Sequence, residues 1–287
     1  MEKTKLSADY YSKSFQIYAK ACNKFAEFEQ WVEDVFPKLV LDKMTESFSV
    51  DTKINVLGVG SGSGEMDSKM ATSIKSRFSS VRNVIVDPGK KQLDLYRSLV
   101  EVNDFPAGIE FDFHEAGIDE FLISEGEPPT KYHFINAVQS IYYVDDMKGT
   151  VDNLYRRLEA GGVFLITMIS SEARNASMKL WDRFPPAQRY DSSDFLKQIL
   201  SSLDIAFEEH HHVNNLDIAH CFDEGSEEGT YLLDYLTKTF DFRGTVSPEH
   251  YKEVKDFMVS DQCSEKKEDG AIMYTNDWDA IVIQKPL

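Results

Sequence analysis

The run Gly58-Val59-Gly60-Ser61-Gly62-Ser63-Gly64 is the first segment whose residue types could do chemistry. Glycines lack a Cβ and tolerate positive φ, so such a loop lets backbone come close to a ligand. A dinucleotide fingerprint requires G-x-G-x-x-G, and no frame supplies it, because Glu65 stands where the last glycine should be. A P-loop requires G-K-[S/T], which is absent. What remains is G-x-G-x-G followed by an acid, Asp87, at the end of the next apolar segment. A carboxylate there can accept hydrogen bonds from a ribose diol. It can equally cap the helix that begins near Pro88. Loop and acid together point to a nucleoside without a pyrophosphate, with S-adenosylmethionine (SAM) the obvious one, bound along Gly58, Gly60, Gly62 and Asp87.

Other chemically capable clusters read as structural. In a strand only His210 and His212 of the His210-His211-His212 run share a side. No Cys or Asp at ligand spacing joins them, so a solvated strand end is preferred to a metal site. The segment from Asp223 to Glu228 lacks the spacing of a calcium loop and reads as an acidic surface turn. Nothing resembles G-x-S-x-G, which argues against hydrolase chemistry. Cys22, Cys221 and Cys263 are odd in number and far apart, so no disulfide framework or CxxC metal site follows.

The elements that must position the glycine loop alternate. Tyr11, Phe15, Tyr18, Cys22, Phe25 and Phe28 recur at spacings of three and four, which predicts a helix over 8–36 with a stop or bend at Pro37. Strands are expected at 54–59, 83–86, 109–113, 132–138 and 163–168, the last entered through a turn at Gly161-Gly162. Helices are expected between them at 65–78, 92–102 and 151–158. This rhythm predicts a parallel sheet covered on both faces with right-handed crossovers. Beyond 170 the pattern is irregular: Phe184-Pro185-Pro186 breaks the chain, 194–203 reads as helix and 206–213 as strand. A helix then follows an acidic loop at 223–230, and 280–283 is a final strand. The organisation expected is one compact unit. Residues 1–50 form a helical cap over a substrate site, 51–170 a ligand-binding core, and 171–287 substrate-side segments that complete the sheet.

The 287 residues carry 31 Lys+Arg against 49 Asp+Glu, a net charge of −18, with 42% hydrophobic and 12% aromatic residues. That is enough apolar material for a full core. The acidity argues against a nucleic-acid binder or an anionic membrane surface as partner. No secretory apolar region opens the sequence and no run of about 18 apolar residues occurs. A cytoplasmic, monomeric protein is expected.

From about residue 50 to 170 the sequence resembles a class I SAM-dependent methyltransferase. The resemblance implies an α/β fold with a Rossmann-like, mostly parallel seven-stranded sheet and helices on both faces, extended by the N-terminal cap and C-terminal segments. That superfamily often has an acid two residues before the first glycine of its loop, and here the position is Gly58. Nearly the whole chain is similar to the histamine N-methyltransferase family. The similarity is carried by residues 54–60 and 64–67, Asp87-Pro88 with Gln92, Val138-Gln139-Ser140-Ile141-Tyr142-Tyr143-Val144, Arg183-Phe184-Pro185, Asp217-Ile218 with Cys221-Phe222, and Tyr274-Thr275-Asn276. Tyr11 and Phe15 fit the family's N-terminal helix.

The resemblance implies SAM contacts at Gly60, Asp87, Gln92, Ile118 and Val138, and S-adenosyl-L-homocysteine as product. Ile118 stands where the family has serine, and Asp87 where it has glutamate. Substrate contacts are implied at Gln139 and Asn276, with Tyr11, Phe15, Tyr142 and Tyr143 as an aromatic wall. Lys24 replaces a glutamate that binds histamine, and Ala173 and Ser177 replace two tryptophans. The implied acceptor is a small amine or imidazole, and the cation at position 24 favours one bearing a carboxylate, such as a histidine derivative or carnosine. No obligate base and no metal are implied. A different amine or a hydroxyl acceptor, or a SAM-binding module without chemistry, are the alternatives.

Overall fold

The computed structural model describes residues 8–126, 128–171, 175–186 and 189–287. The strands are β1 Lys53–Val59, β2 Ser80–Asp87, β3 Ile109–Glu115, β4 Tyr132–Val138, β5 Leu158–Ile169, β6 Glu208–His212, β7 Asn215–Asp217, β8 Ser264–Lys266, β9 Ile272–Thr275 and β10 Trp278–Gln284. The helices are α1 Ala8–Ala21, α2 Lys24–Asp34, α3 Asp42–Ser47, α4 Glu65–Lys75, α5 Lys90–Val102, α6 Ile118–Ser124, α7 Met147–Arg157, α8 Ala176–Arg183, α9 Ser193–Ser202, α10 Glu227–Thr237, α11 Phe242–Thr245 and α12 Pro248–Met258. Among the described residues no helix is long and apolar enough to cross a membrane.

The chain divides into two units whose boundaries cut across the ranges 1–50, 51–170 and 171–287. The larger comprises residues 25–168, 195–210 and 279–287; the smaller comprises 1–24, 169–194 and 211–278. Residues 25–50 thus group with the sheet and not with the first helix.

The larger unit is built on a seven-stranded sheet of order β3-β2-β1-β4-β5-β10-β6. The four pairings among β1 to β5 are parallel. Alternation along β2 shows why helices cover both faces. Val84 and Val86 enter a core with Ile118 and Phe121 of α6 and Val151 and Leu154 of α7. Ile85, between them, packs on Leu93 and Tyr96 of α5. Strands buried on both faces read as continuous apolar runs, which is how the sequence presents them. The order reverses between β1 and β4, so the crevice beyond their carboxyl ends is the place where open α/β sheets bind ligands.

Three local expectations change. The helix over 8–36 is two helices, because Asn23 takes φ +48° between α1 and α2. Pro37 does not stop the chain. It opens a π-helical turn over Pro37–Leu41 flanked by helical Phe36 and Asp42, a first-turn position where its missing N–H is not needed. Gly161-Gly162 is not a turn before β5 but lies inside it. Tyr132 pairs with Leu158 and Phe134 with Val163, so the glycines form a bulge in the strand. The final strand, β10, is interior to the sheet, with Ala280 to Ile283 buried.

The smaller unit packs α1, α8, α10 and α12 around Trp181, Leu216, Leu232, Leu236, Phe257 and Tyr274. A three-stranded antiparallel sheet, β7-β9-β8, closes it. The acidic stretch after Asp223 becomes the start of α10. Ser226 caps it by accepting from the Gly229 N–H, and Glu227 and Glu228 complement the helix N-terminus.

Candidate active site

In the larger unit the glycine loop joins β1 to α4. Gly60 has φ +64°, and a Cβ there would stand 2.6 Å from the Cβ of Ser140. The Ser140 hydroxyl donates to the Val59 carbonyl at 2.6 Å. The turns after β1 and β4 therefore touch at the reversal point, and only glycine fits between them. Gly58 is constrained from below: a Cβ would fall 2.6 Å from Asp67 Oδ1 and 2.2 Å from Ser61 Oγ. Asp67 lies on α4, 3% exposed. It accepts hydrogen bonds from Asn83 Nδ2, the Tyr96 hydroxyl and Asn136 Nδ2, each at 2.8 Å. Burial raises its pKa and these three donors oppose the rise. One carboxylate thus ties α4 to β2, α5 and β4 beneath the loop, and it fills the space an acid at 58 would need.

Asp87 closes β2 with both oxygens turned to backbone. Oδ2 accepts from the Gly62 N–H at 2.9 Å and Oδ1 from the Gly89 N–H at 2.7 Å. Burial raises its pKa, opposed by the Gly89 and Gly62 N–H groups. Each oxygen keeps a lone pair for a ligand hydroxyl. Nothing stands within 4 Å of the Cβ position at Gly62, so that side of the loop is open. These features suit a ribose diol. Gln92, half-buried, lies in the first turn of α5, with its N–H on the Gly89 carbonyl at 2.9 Å. Val138 ends β4. Ile118 opens α6 but its side chain, 6% exposed, belongs to the core with Val59 and Val86. Backbone is what Ile118 can offer a ligand.

Gln139 follows β4 with φ +52°, a conformation costing about 1–2 kcal/mol in a residue with a Cβ. Its N–H donates to the Thr167 carbonyl at 3.0 Å. Strain of this kind gathers where a side chain must be aimed. The Tyr142 and Tyr143 rings lie 4.8 Å apart on the short turn that follows, with Tyr143 exposed.

In the smaller unit the remaining candidates meet. Tyr11, Phe15 and Tyr18 of α1 pack against Tyr235 of α10, with Tyr18 stacked on Tyr235 at 4.4 Å and Tyr11 at 5.7 Å. Asn276 Nδ2 donates to the Tyr18 hydroxyl at 2.6 Å. Lys24 Nζ is 5.4 Å from the Phe15 ring centre and 6.0 Å from that of Tyr18, and burial lowers its pKa. Glu29 on the next turn, in the larger unit, is occupied by an ion pair with Lys69. Lys238, just past α10, is 7% exposed, and its ammonium lies 3.6 Å from the Tyr235 ring centre. Ser177 is buried on α8, and Ala173 lies outside the described residues.

The histidine run lies on a strand that is exposed or half-buried throughout, and two of its rings have partners outside it. His211 Nε2 contacts Asp277 Oδ2 at 3.2 Å and its Nδ1 contacts the Ser170 hydroxyl at 3.4 Å. His212 stacks on Trp278 at 4.6 Å. Asp277, fully buried, also accepts from the Asn214 N–H. With Ser170 itself buried, this is a joint between segments. Among the described residues no group of three or more His, Cys, Asp or Glu could hold a metal.

Three positions carry more of this arrangement than sequence reasoning assigned to them. Asp67 and Ser140 both lie within segments that carry the family resemblance, yet no spacing rule marks their roles. Lys238 has no sequence signal, since a lysine at a helix end ordinarily reads as complementing the dipole.

A family model described as a methyltransferase domain matches residues 25–210. The chain is 30% identical over 286 residues to histamine N-methyltransferase B of Xenopus laevis, covering 96% of this chain and 94% of that protein. It is 27% identical over 289 residues to carnosine N-methyltransferase 2 of Gallus gallus, covering 97% and 88%. Among solved structures, the YcgJ protein from Bacillus subtilis shares the fold at a TM-score of 0.53 and 15% identity, over 86% of this chain and 97% of that one. The plantazolicin methyltransferase BpumL does so at 0.50 and 11%, over 96% and 94%. Glycine loop, ribose-suited acid and sheet order thus meet in one assignment: the chain belongs to the class I SAM-dependent methyltransferases and is closely related to the histamine and carnosine N-methyltransferases.

Proposed function

We propose that the protein methylates a nitrogen of a small imidazole or related amine. The observation that carries this reading is the amide of Asn276, fixed by the Tyr18 hydroxyl inside a cluster of aromatic rings. An amide held in one orientation among ring faces suits a flat acceptor that becomes cationic as it is methylated. The names of the relatives, histamine and carnosine N-methyltransferases, support the same class. Acceptor contacts are assigned to Tyr11, Phe15, Lys24 and Asn276 of the smaller unit. Cofactor contacts are assigned to Gly58, Gly60, Gly62, Asp87, Gln92, Val138 and the backbone of Ile118.

When bound, SAM supplies a methyl group already activated on a sulfonium, which the acceptor nitrogen takes as the sulfur–carbon bond breaks. A neutral imidazole nitrogen is nucleophilic as it stands, its conjugate acid having a pKa of about 6.5. No side chain is therefore assigned as an obligate base. The work of this chain is to align the acceptor and to exclude water.

A panel of labelled-methyl assays tests this reading, with histamine, histidine, carnosine, aromatic amines and phenols as acceptors. Turnover is expected for an imidazole or amine. Label entering phenols alone, or no acceptor at all from a sample that binds SAM by calorimetry, overturns the reading.

A further inference from the structure

Lys24 and Lys238 sit on one ring cluster of the smaller unit. The Lys238 ammonium lies 3.6 Å from the ring centre of Tyr235, 5.0 Å from Tyr190, 5.6 Å from Tyr11 and 5.7 Å from Trp181. Lys24 faces Phe15 and Tyr18, and Tyr18 is stacked on Tyr235. Among the described residues neither ammonium has a carboxylate or hydrogen-bond partner, whereas those of Lys13, Lys20, Lys43, Lys53, Lys69 and Lys90 all do. The acid nearest in sequence on α10, Asp234, is not available. Its Oδ2 accepts from the Tyr10 hydroxyl and the Asp241 N–H, and its Oδ1 from the Phe242 N–H. Asp241 is in turn committed to the Gly244 N–H.

Burying an ammonium without a counter-ion is costly, and a second cation beside it adds to the cost. Ring faces offset only part of it. Burial lowers the pKa of both lysines, and at Lys238 the charge of Lys24 lowers it further. A chain with 49 acidic residues that leaves these two cations uncompensated has a place for an anion. A phosphate is the poorer fit, since helix N-termini and arginine forks favour it most, although lysine also binds phosphate. Lys238 instead follows the C-terminus of α10, where the helix dipole is negative. A singly charged carboxylate matches two ammonium groups among aromatic faces.

We propose that Lys24 and Lys238 form a carboxylate-recognition subsite, so that the acceptor is an imidazole or amine carrying a carboxylate arm. This rests on the small-amine reading above, through Asn276, whose Tyr18 partner lies in the same cluster. It explains the cation at position 24 as one half of a pair and makes Lys238 a specificity-determining residue.

Two probes that share an imidazole ring and a two-carbon tether decide it: 3-(imidazol-4-yl)propionate, ending in a carboxylate, and histamine, ending in an ammonium. Calorimetry is done on the full chain loaded with S-adenosyl-L-homocysteine, so that no methyl transfer occurs. The propionate is expected to bind at least about tenfold more tightly than histamine. Lys238→Met is expected to remove that preference and Lys238→Arg to retain most of it. Lys24→Met, at a half-buried position, should reduce the preference as well, and it supplies the reading if Lys238→Met does not fold. Equal binding, tighter histamine, no binding of the propionate, or a preference unchanged in the folded variants overturns the subsite. Failure to bind S-adenosyl-L-homocysteine would instead count against the methyltransferase reading, and it is measured separately.

Discussion

At the scale of single residues, carboxylates do two different kinds of work. Asp67 is structural: its three donors make it the pin under the loop, and its position leaves Gly58 no room for a side chain. Asp87, proposed above as a cofactor contact, is held by one backbone N–H on each oxygen, which leaves each a lone pair. Asp87→Asn turns one oxygen into a donor facing a backbone N–H and removes the charge. A charge-assisted hydrogen bond contributes about 1.5–3 kcal/mol, so SAM is expected to bind roughly ten- to a hundredfold more weakly by calorimetry. The titration of Lys238 carries a stability prediction. Its pKa is pushed down to about 7 by burial, with Lys24 adding to the effect, whereas the unfolded chain holds that proton to about pH 10.4. Between those values the unfolded state binds more protons, so this site makes stability rise with pH, and the cost of the buried charge is fully present below about 7. Without ligand, Lys238→Met is expected to raise the melting temperature most near pH 6, with the gain shrinking toward pH 10. A melting temperature unchanged or lowered at pH 6 would contradict this.

At the scale of elements, what was legible in the sequence followed from how each element is buried. Strands β1, β2, β4 and β5 are largely buried, so they appear as apolar runs between helical patterns, while β3, half-buried at the sheet edge, shows as alternation. The glycine loop and Asp87 then fall at predictable ends. The smaller unit was not legible in this way. Strands β7, β8 and β9 span only three or four residues each, too few for alternation to show. The break between α1 and α2 depends on one left-handed asparagine, and the ring cluster draws on α1, α8 and α10, which are far apart in sequence. Helix α10 shows how tertiary contact overrides propensity. Alanine is favoured over glycine inside a helix by about 1 kcal/mol, yet a Cβ at Gly229 would stand 1.8 Å from the His220 carbonyl oxygen. Gly229→Ala is therefore expected to lower stability, by about 1–3 kcal/mol for an overpacked site. Chemical denaturation would show it as a lower midpoint, and a raised midpoint would mean that the turn at Ala219–Phe222 yields freely.

At the scale of the whole molecule, the −18 charge and the paired lysines act over different distances. A field of that sign draws cations in and slows anions. SAM, with its sulfonium, gains from it. An acceptor ending in a carboxylate has to cross the same field before it meets Lys24 and Lys238, which act only at close range. Salt separates the two effects, because the Debye length falls to about 10 Å at 0.1 M. The association rate of 3-(imidazol-4-yl)propionate is therefore expected to rise as salt is added at low ionic strength, while its dissociation rate rises too as the close contact weakens. Histamine should show the opposite trend in association. Stopped-flow binding on the full chain between about 0.01 and 0.2 M salt reads both. Association of the propionate that slows with salt would mean that a local positive field already governs its approach. The acidic surface would then play no part in acceptor selection.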